Sequence, residues 1–232
     1  MDRHDGHIPR RLIFETPDYT EPPQRGIKRI VVKAPAELPY MIMAYHAPAL
    51  HHPSEQWKPY ALEVLAGVLD GNGAARLNKS LVRDQQLATD VGAGYDPLAR
   101  GPSMFTLDGT PSEGKTAADL EAGFRKQIDK LIKHGVSADE LKRVKAQITA
   151  SDIYKRDSVF YQAMQIGQLE SLGLSYKDIP LMLKKLQAVT AQQVQDVAKE
   201  FLKDDNLTVA VLDPQPLKKN QRMMPQGGAN VR

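Results

Sequence analysis

The chain has 232 residues, 31 basic against 28 acidic side chains for a net charge of +3, an apolar fraction of 41% and no cysteine. That length and apolar content suit a soluble globular protein of one large domain or two small ones, and the balanced charge carries no electrostatic footprint for nucleic acid. Without cysteine, disulfides and thiolate-held zinc are excluded, cytoplasm and periplasm fit equally well, and no apolar run approaches the roughly 20 residues of a membrane span.

Residues 1–26 carry Pro9, Pro17, Pro22 and Pro23 among charges, a composition that buries little surface and reads as a linker or extended arm. The opening string lacks the apolar centre of a signal peptide, and His4 and His7 read as exposed side chains of that arm. A domain over residues 27–213 follows. Its first strands are residues 28–33 and 39–46, joined by a Pro-Ala-Glu-Leu-Pro turn and so expected to be antiparallel neighbours. The second is apolar on both faces, as for a strand inside a sheet with helices covering it. After it, His52, Glu55 and Gln56 spell H-x-x-E-Q, one residue short of the H-x-x-E-H that sets two metal ligands on one helical face; with a single good ligand visible, no metal site is assigned.

Residues 58–69 are apolar nearly all round, which predicts a buried helix. Asp70, Gly71, Asn72 and Gly73 then make a turn whose residues tolerate positive φ. From Ala74 a short helix is expected, with Leu77, Leu81 and Val82 inward and Arg76, Lys79 and Arg83 elsewhere. Past Leu87 the pattern alternates, Val91, Ala93 and Tyr95 against Asp90, Gly92 and Gly94, so Arg83 falls between a helix end and a strand. Residues 103–110 alternate again and complete a hairpin.

The remainder is helical. Thr116 to Asp119 opens a helix with the stripe Leu120, Phe124, Ile128, Leu131 and Ile132. Ser137 to Glu140 is a capping box for the next, facing inward through Leu141, Val144, Ile148 and Ile153. Residues 154–172 and 179–189 continue the series, the latter with Pro180 in its first turn, and Thr190 to Gln193 caps a last helix burying Val194, Val197 and Phe201. Residues 206–212 return as a strand, and residues 214–232 form a tail without periodicity, expected to be disordered. Grouped strands and grouped helices give an α+β fold, a mainly antiparallel sheet packed against helices.

The segment from 69 to 95 resembles the second-half signature of the M16 zinc peptidases, the pitrilysin, insulinase-like and mitochondrial-processing-peptidase-like family. Ala75-Arg76-Leu77 stands for S-R-L, Leu81-Val82-Arg83-Asp84 for the L-R-E step and Leu87-Ala88-Thr89 for L-A-Y. The resemblance implies a LuxS/MPP-like metallohydrolase architecture and the half that does not bind zinc. In that family an arginine and a tyrosine of this segment face the substrate; Arg83 matches the arginine, and Thr89 stands in the tyrosine position. It implies further that the chain has no catalytic residue of its own and works with an HxxEH-bearing half that holds the zinc and, with it, acts on a peptide substrate. An alternative is a structural subunit like the core proteins of respiratory complexes, with the same fold and no proteolytic role.

Other features read structurally. Lys126, Lys130, Lys133, Lys142, Arg143 and Lys145 interleave with Asp129, Asp139 and Glu140 as solvated helix faces. Asp84, Asp90, Asp96 and Asp108 suit turns and strand ends. No G-K-S/T follows the glycines at 71 and 73, and no G-x-S-x-G is present.

Overall fold

The computed structural model describes residues 22–217. Residues 1–21 of the expected arm and 218–232 of the expected tail lie outside the described residues. Five strands, β1 (Lys28–Pro35), β2 (Tyr40–Ala47), β3 (Ala88–Tyr95), β4 (Ser103–Pro111) and β5 (Leu207–Gln215), form one sheet in the order β1-β5-β2-β4-β3. Six α-helices accompany them: α1 (Lys58–Asp70), α2 (Ala117–His134), α3 (Ala138–Arg156), α4 (Val159–Ser171), α5 (Ile179–Ala188) and α6 (Ala191–Phe201). The β2–β4, β2–β5 and β3–β4 pairs are antiparallel and only β1–β5 is parallel, so the α+β reading with a mainly antiparallel sheet stands.

The first two strands run antiparallel but are not neighbours, because β5 lies between them. β5 supplies the apolar pair Leu207 and Val209, both fully buried, and so takes an inner position. β1, with Lys28, Arg29 and Lys33, takes the edge, where charges reach water and discourage pairing with another chain. β5 also runs past the expected end at 212 to Gln215. Beyond Leu212 its pairing with β2 has ended, so Pro214 sits where only β1 is bonded to it, a place that tolerates a missing N–H.

β2 alternates between buried Met41, Met43, Tyr45 and Ala47 and half-buried Tyr40, Ile42, Ala44 and His46. Helices therefore cover one face of it, not both. On the same side of the sheet α1 packs over β3, and its Ala61, Leu62, Val64, Leu65 and Leu69 have no exposed surface; each large aliphatic side chain so buried contributes about 1.5–3 kcal/mol. α2 adds Leu120, Phe124, Ile128 and Leu131 to the same core, and α6 adds Val194 and Val197. Complete capping boxes at Thr116 with Asp119, Ser137 with Glu140 and Thr190 with Gln193 start α2, α3 and α6 where the sequence places them.

The helical hairpin of α3 and α4 departs from the reading. α3 continues to Arg156, and Ser158 caps α4 afresh, so no helix begins at 154. Ile153, expected inward, is 54% exposed: α3 packs through Val144 and Ile148 and then runs out beyond the core. Tyr154, Val159, Phe160, Tyr161 and Met164 share its exposed fate. No described helix is long and apolar enough to cross a membrane.

Candidate functional site

The segment after α1 is built on side-chain hydrogen bonds and one close approach. Gly71 has φ −74°, not a positive φ; glycine is required there because a Cβ would stand 2.4 Å from the Gly67 carbonyl oxygen. Asn72 shapes the turn, its Oδ1 accepting from the Ala74 N–H at 2.7 Å and its Nδ2 donating to Gln147 of α3 at 3.0 Å. The short helix that follows is a π-helix over Asn78–Asp84. Leu77 and Leu81 bury its inner side, and the Gln85 N–H reaches back five residues to the Ser80 carbonyl. The chain then reverses through Gln86 at φ 50°, a left-handed conformation in which a non-glycine residue stores strain. Both departures from regular backbone thus fall beside Arg83, and such departures concentrate at functional sites.

The two arginines of the segment have different surroundings. Arg76 makes a bidentate pair with Glu140, Nε to Oε1 and Nη2 to Oε2 both at 2.8 Å, and Nη2 also donates to the Gly135 carbonyl at 2.9 Å. That guanidinium, together with the Ser137 bonds of the capping box, pulls the Glu140 carboxyl down to about 2. Arg76 therefore ties the segment to the start of α3. Arg83 is exposed at the end of the π-helix, and its Nη2 donates to the Gly73 carbonyl across the turn. Thr89 is also exposed, at the head of edge strand β3 beside a bulge between Ala88 and Asp90, and its Oγ1 donates weakly to the Thr110 carbonyl at 3.4 Å. Both predicted site residues lie on the surface at one end of β3, with no bond between them. An exposed guanidinium in this place can offer charge-assisted donors to a peptide carbonyl.

Asp70, read as a turn residue, does more. Its Oδ1 accepts from Asn78 at 2.7 Å and its Oδ2 from the Ala93 N–H at 3.3 Å, so it joins α1, the π-helix and β3. Burial raises its pKa. A second connector escaped the sequence reading: Glu121 of α2, buried, lies between Arg29 of β1, at 2.8 and 2.9 Å, and Arg125, at 3.0 Å, which also reaches Asp204. Only the four-residue spacing of Glu121 and Arg125 was visible in the sequence.

His52, Glu55 and Gln56 lie in a turn, not a helix. The Gln56 side-chain oxygen accepts from the His51 and His52 N–H groups at 2.8 and 3.0 Å, which commits it to holding that turn. Among the described residues no group of three His, Asp or Glu is placed to hold a metal ion. The donor set therefore does not fit a zinc centre. Asp96 accepts from the Leu98 N–H at 2.8 Å in the turn after β3, as expected, whereas Asp108, expected at a turn or strand end, lies inside β4 between β2 and β3 and accepts from the Tyr40 hydroxyl at 2.5 Å.

Comparison with known proteins gives this geometry a context. The family described as the peptidase M16 inactive domain matches residues 3–148. The uncharacterised zinc protease YmxG of Bacillus subtilis is 22% identical over 194 residues, 84% of this chain and 46% of that protein. A protease from Helicobacter pylori has the same fold, with a TM-score of 0.81 and 21% identity over 92% of this chain and 51% of the other. A peptidase M16 inactive domain from Pseudomonas fluorescens superposes with a TM-score of 0.68 and 18% identity, covering 89% of this chain and 48% of that one. The chain thus spans about half the length of these relatives.

Proposed function

This chain belongs to the M16 peptidase family as an inactive domain, and from that premise we propose that it is the half of a zinc endopeptidase that closes the substrate chamber and holds the peptide. The zinc and the activated water belong to a half bearing HxxEH, on another chain or another part of a longer one. This chain's share is Arg83, whose guanidinium donates to a substrate carbonyl and to the negative charge that grows on its oxygen during attack. The observation carrying the reading is the contrast within the matched segment: Arg76 is spent on Glu140 and Gly135, while Arg83 is exposed beside a π-helix and a left-handed Gln86.

Thr89 in the tyrosine position favours a second reading, a structural subunit that assembles with its partner and cleaves nothing. Co-expression with the HxxEH-bearing half separates the two. The proposed function predicts a stable complex that cleaves an unstructured peptide, with neither activity nor stoichiometric zinc in this chain alone. A complex without cleavage supports the structural subunit, and tightly bound zinc in the isolated chain contradicts both.

A further inference from the structure

At the other end of β3 from Arg83, α1, α3, α4 and α5 leave a cleft of about 520 Å³, bounded at one side by Pro97 and Leu98 of the β3–β4 connection. Its walls are largely apolar, among them Tyr60, Ile148, Leu169, Met182 and Leu186. All of α4 and α5 lie in a part of the chain beyond residue 148, where the family match ends. The rim carries apolar surface too: Tyr161 and Met164, which line the cleft, are 51% and 53% exposed.

Into this cleft faces Glu63, the one ionisable side chain of α1 between Tyr60 and Leu69. Its helix neighbours Leu62 and Val64 are wholly buried. No described residue donates a hydrogen bond to its carboxylate or forms an ion pair with it, whereas Glu121 and Glu140, the other carboxylates set into the helical layer, have arginine partners. Burial pushes the Glu63 carboxyl up to about 7; Lys155 of α3 opposes that from a distance, while Asp152 of α3 and Asp96 beyond β3 reinforce it. The Tyr60 and Tyr95 hydroxyls feel the same carboxylate, which raises their own pKa values beyond the effect of burial. Glu63 is half-buried, and a carboxylate partly withdrawn from water without a partner costs free energy and adds nothing to the core. It faces a cleft whose walls are mostly apolar but also carry Ser151, Asp152, Lys155, Gln165 and Gln168, the pattern of a binding site in which a few polar groups fix orientation among apolar walls.

We propose that the cleft docks a lysine side chain flanked by apolar residues on a segment of another polypeptide, its ammonium on Glu63, its stem between the helices and its neighbours on the Tyr161 and Met164 rim. The ammonium supplies the partner that Glu63 lacks, and the apolar flanks cover surface that water now meets. This site is separate from Arg83 and needs no HxxEH half, so its test stands apart from that of the proposed function.

The test is titration calorimetry of this chain alone with the acetylated, amidated tripeptide Leu-Lys-Leu, and with its counterpart carrying norleucine for lysine. The lysine peptide should bind, and Glu63→Gln, which removes charge but not volume, should weaken it about tenfold or more, one charge-assisted pair being worth that much. The norleucine peptide should not distinguish wild type from Glu63→Gln. Affinity for the lysine peptide should rise between about pH 6 and about pH 8 in wild type as Glu63 ionises and stay flat in Glu63→Gln, which separates Glu63 from Lys155, Asp152 and Asp96. Ser151→Trp, an exposed position on the cleft wall, should abolish binding without touching the core. No binding by wild type, equal affinity for both peptides, or an unchanged Glu63→Gln would each overturn the assignment.

Discussion

The two ends of the segment between α1 and β3 teach what a shared residue type does in different surroundings. At the first end Arg76 is half-buried, bidentate to Glu140 and bonded to Gly135, and its partner also caps α3. At the second Arg83 is exposed and, among the described residues, bonded only to the Gly73 carbonyl. Every donor spent on the protein's own carboxylates holds the fold and is lost to a ligand. By that rule Arg76 is a strut, while Arg83 spends no donor on a carboxylate among the described residues.

Substitution of Arg76 is the harshest way to test this contrast. Arg76→Ala removes three charge-assisted hydrogen bonds, two of them to a carboxylate, and leaves Glu140 half-buried without its cation; the expected loss is about 2–3 kcal/mol, read as a lowered midpoint in urea with unchanged slope. A loss as small as that of an exposed substitution would make Arg76 and Arg83 alike and break the comparison.

Acid sharpens it with a smaller effect. The folded-state pKa of Glu140, about 2, lies below its ordinary value, so its contribution is full above the ordinary glutamate range and is lost as pH falls through that range towards about 2. With solvent screening the contribution is about 1–2 kcal/mol. Urea midpoints measured down through that window should therefore fall more steeply in wild type than in Arg76→Ala; parallel curves would mean that the pair does not set the carboxyl. Smallest of all, Arg83→Ala should change stability by within about 0.5 kcal/mol, since an exposed arginine with one carbonyl bond packs against little. A larger loss, seen in the same urea titration, would make its bond to Gly73 a structural tie.

What the sequence made legible follows the range of the forces involved. The capping boxes at Thr116, Ser137 and Thr190 and the all-apolar helix α1 are local patterns, and each stands where it was read. The partner of β1 was not legible, because β5 returns from the far end of the chain to separate β1 from β2, and nothing local announces that. Ile153 kept helical spacing with Val144 and Ile148 but extends past the core, since periodicity fixes a face of a helix and not how much of its length is covered. At the site, Arg83 and Thr89 were visible only through the family pattern. Its π-helix was not, because five-residue bonding leaves no period distinct from that of an ordinary helix over one or two turns. Gly71 was read for a positive φ and is needed for its closeness to Gly67, a contact that composition does not reveal. Glu63 left one trace, a lone charge in an apolar helix.

The central claim, that Arg83 serves the substrate and not the fold, is tested most directly by steady-state kinetics of the chain assembled with its HxxEH-bearing half, wild type against Arg83→Ala and Arg83→Lys. Loss of one charge-assisted donor to the developing oxyanion lowers kcat on the order of 100-fold, with lysine restoring only part because an ammonium lacks the planar fork of donors. The account predicts that fall without loss of complex formation. Unchanged kcat and KM in Arg83→Ala would contradict it, and would leave a chain that has kept the family's arginine without its role.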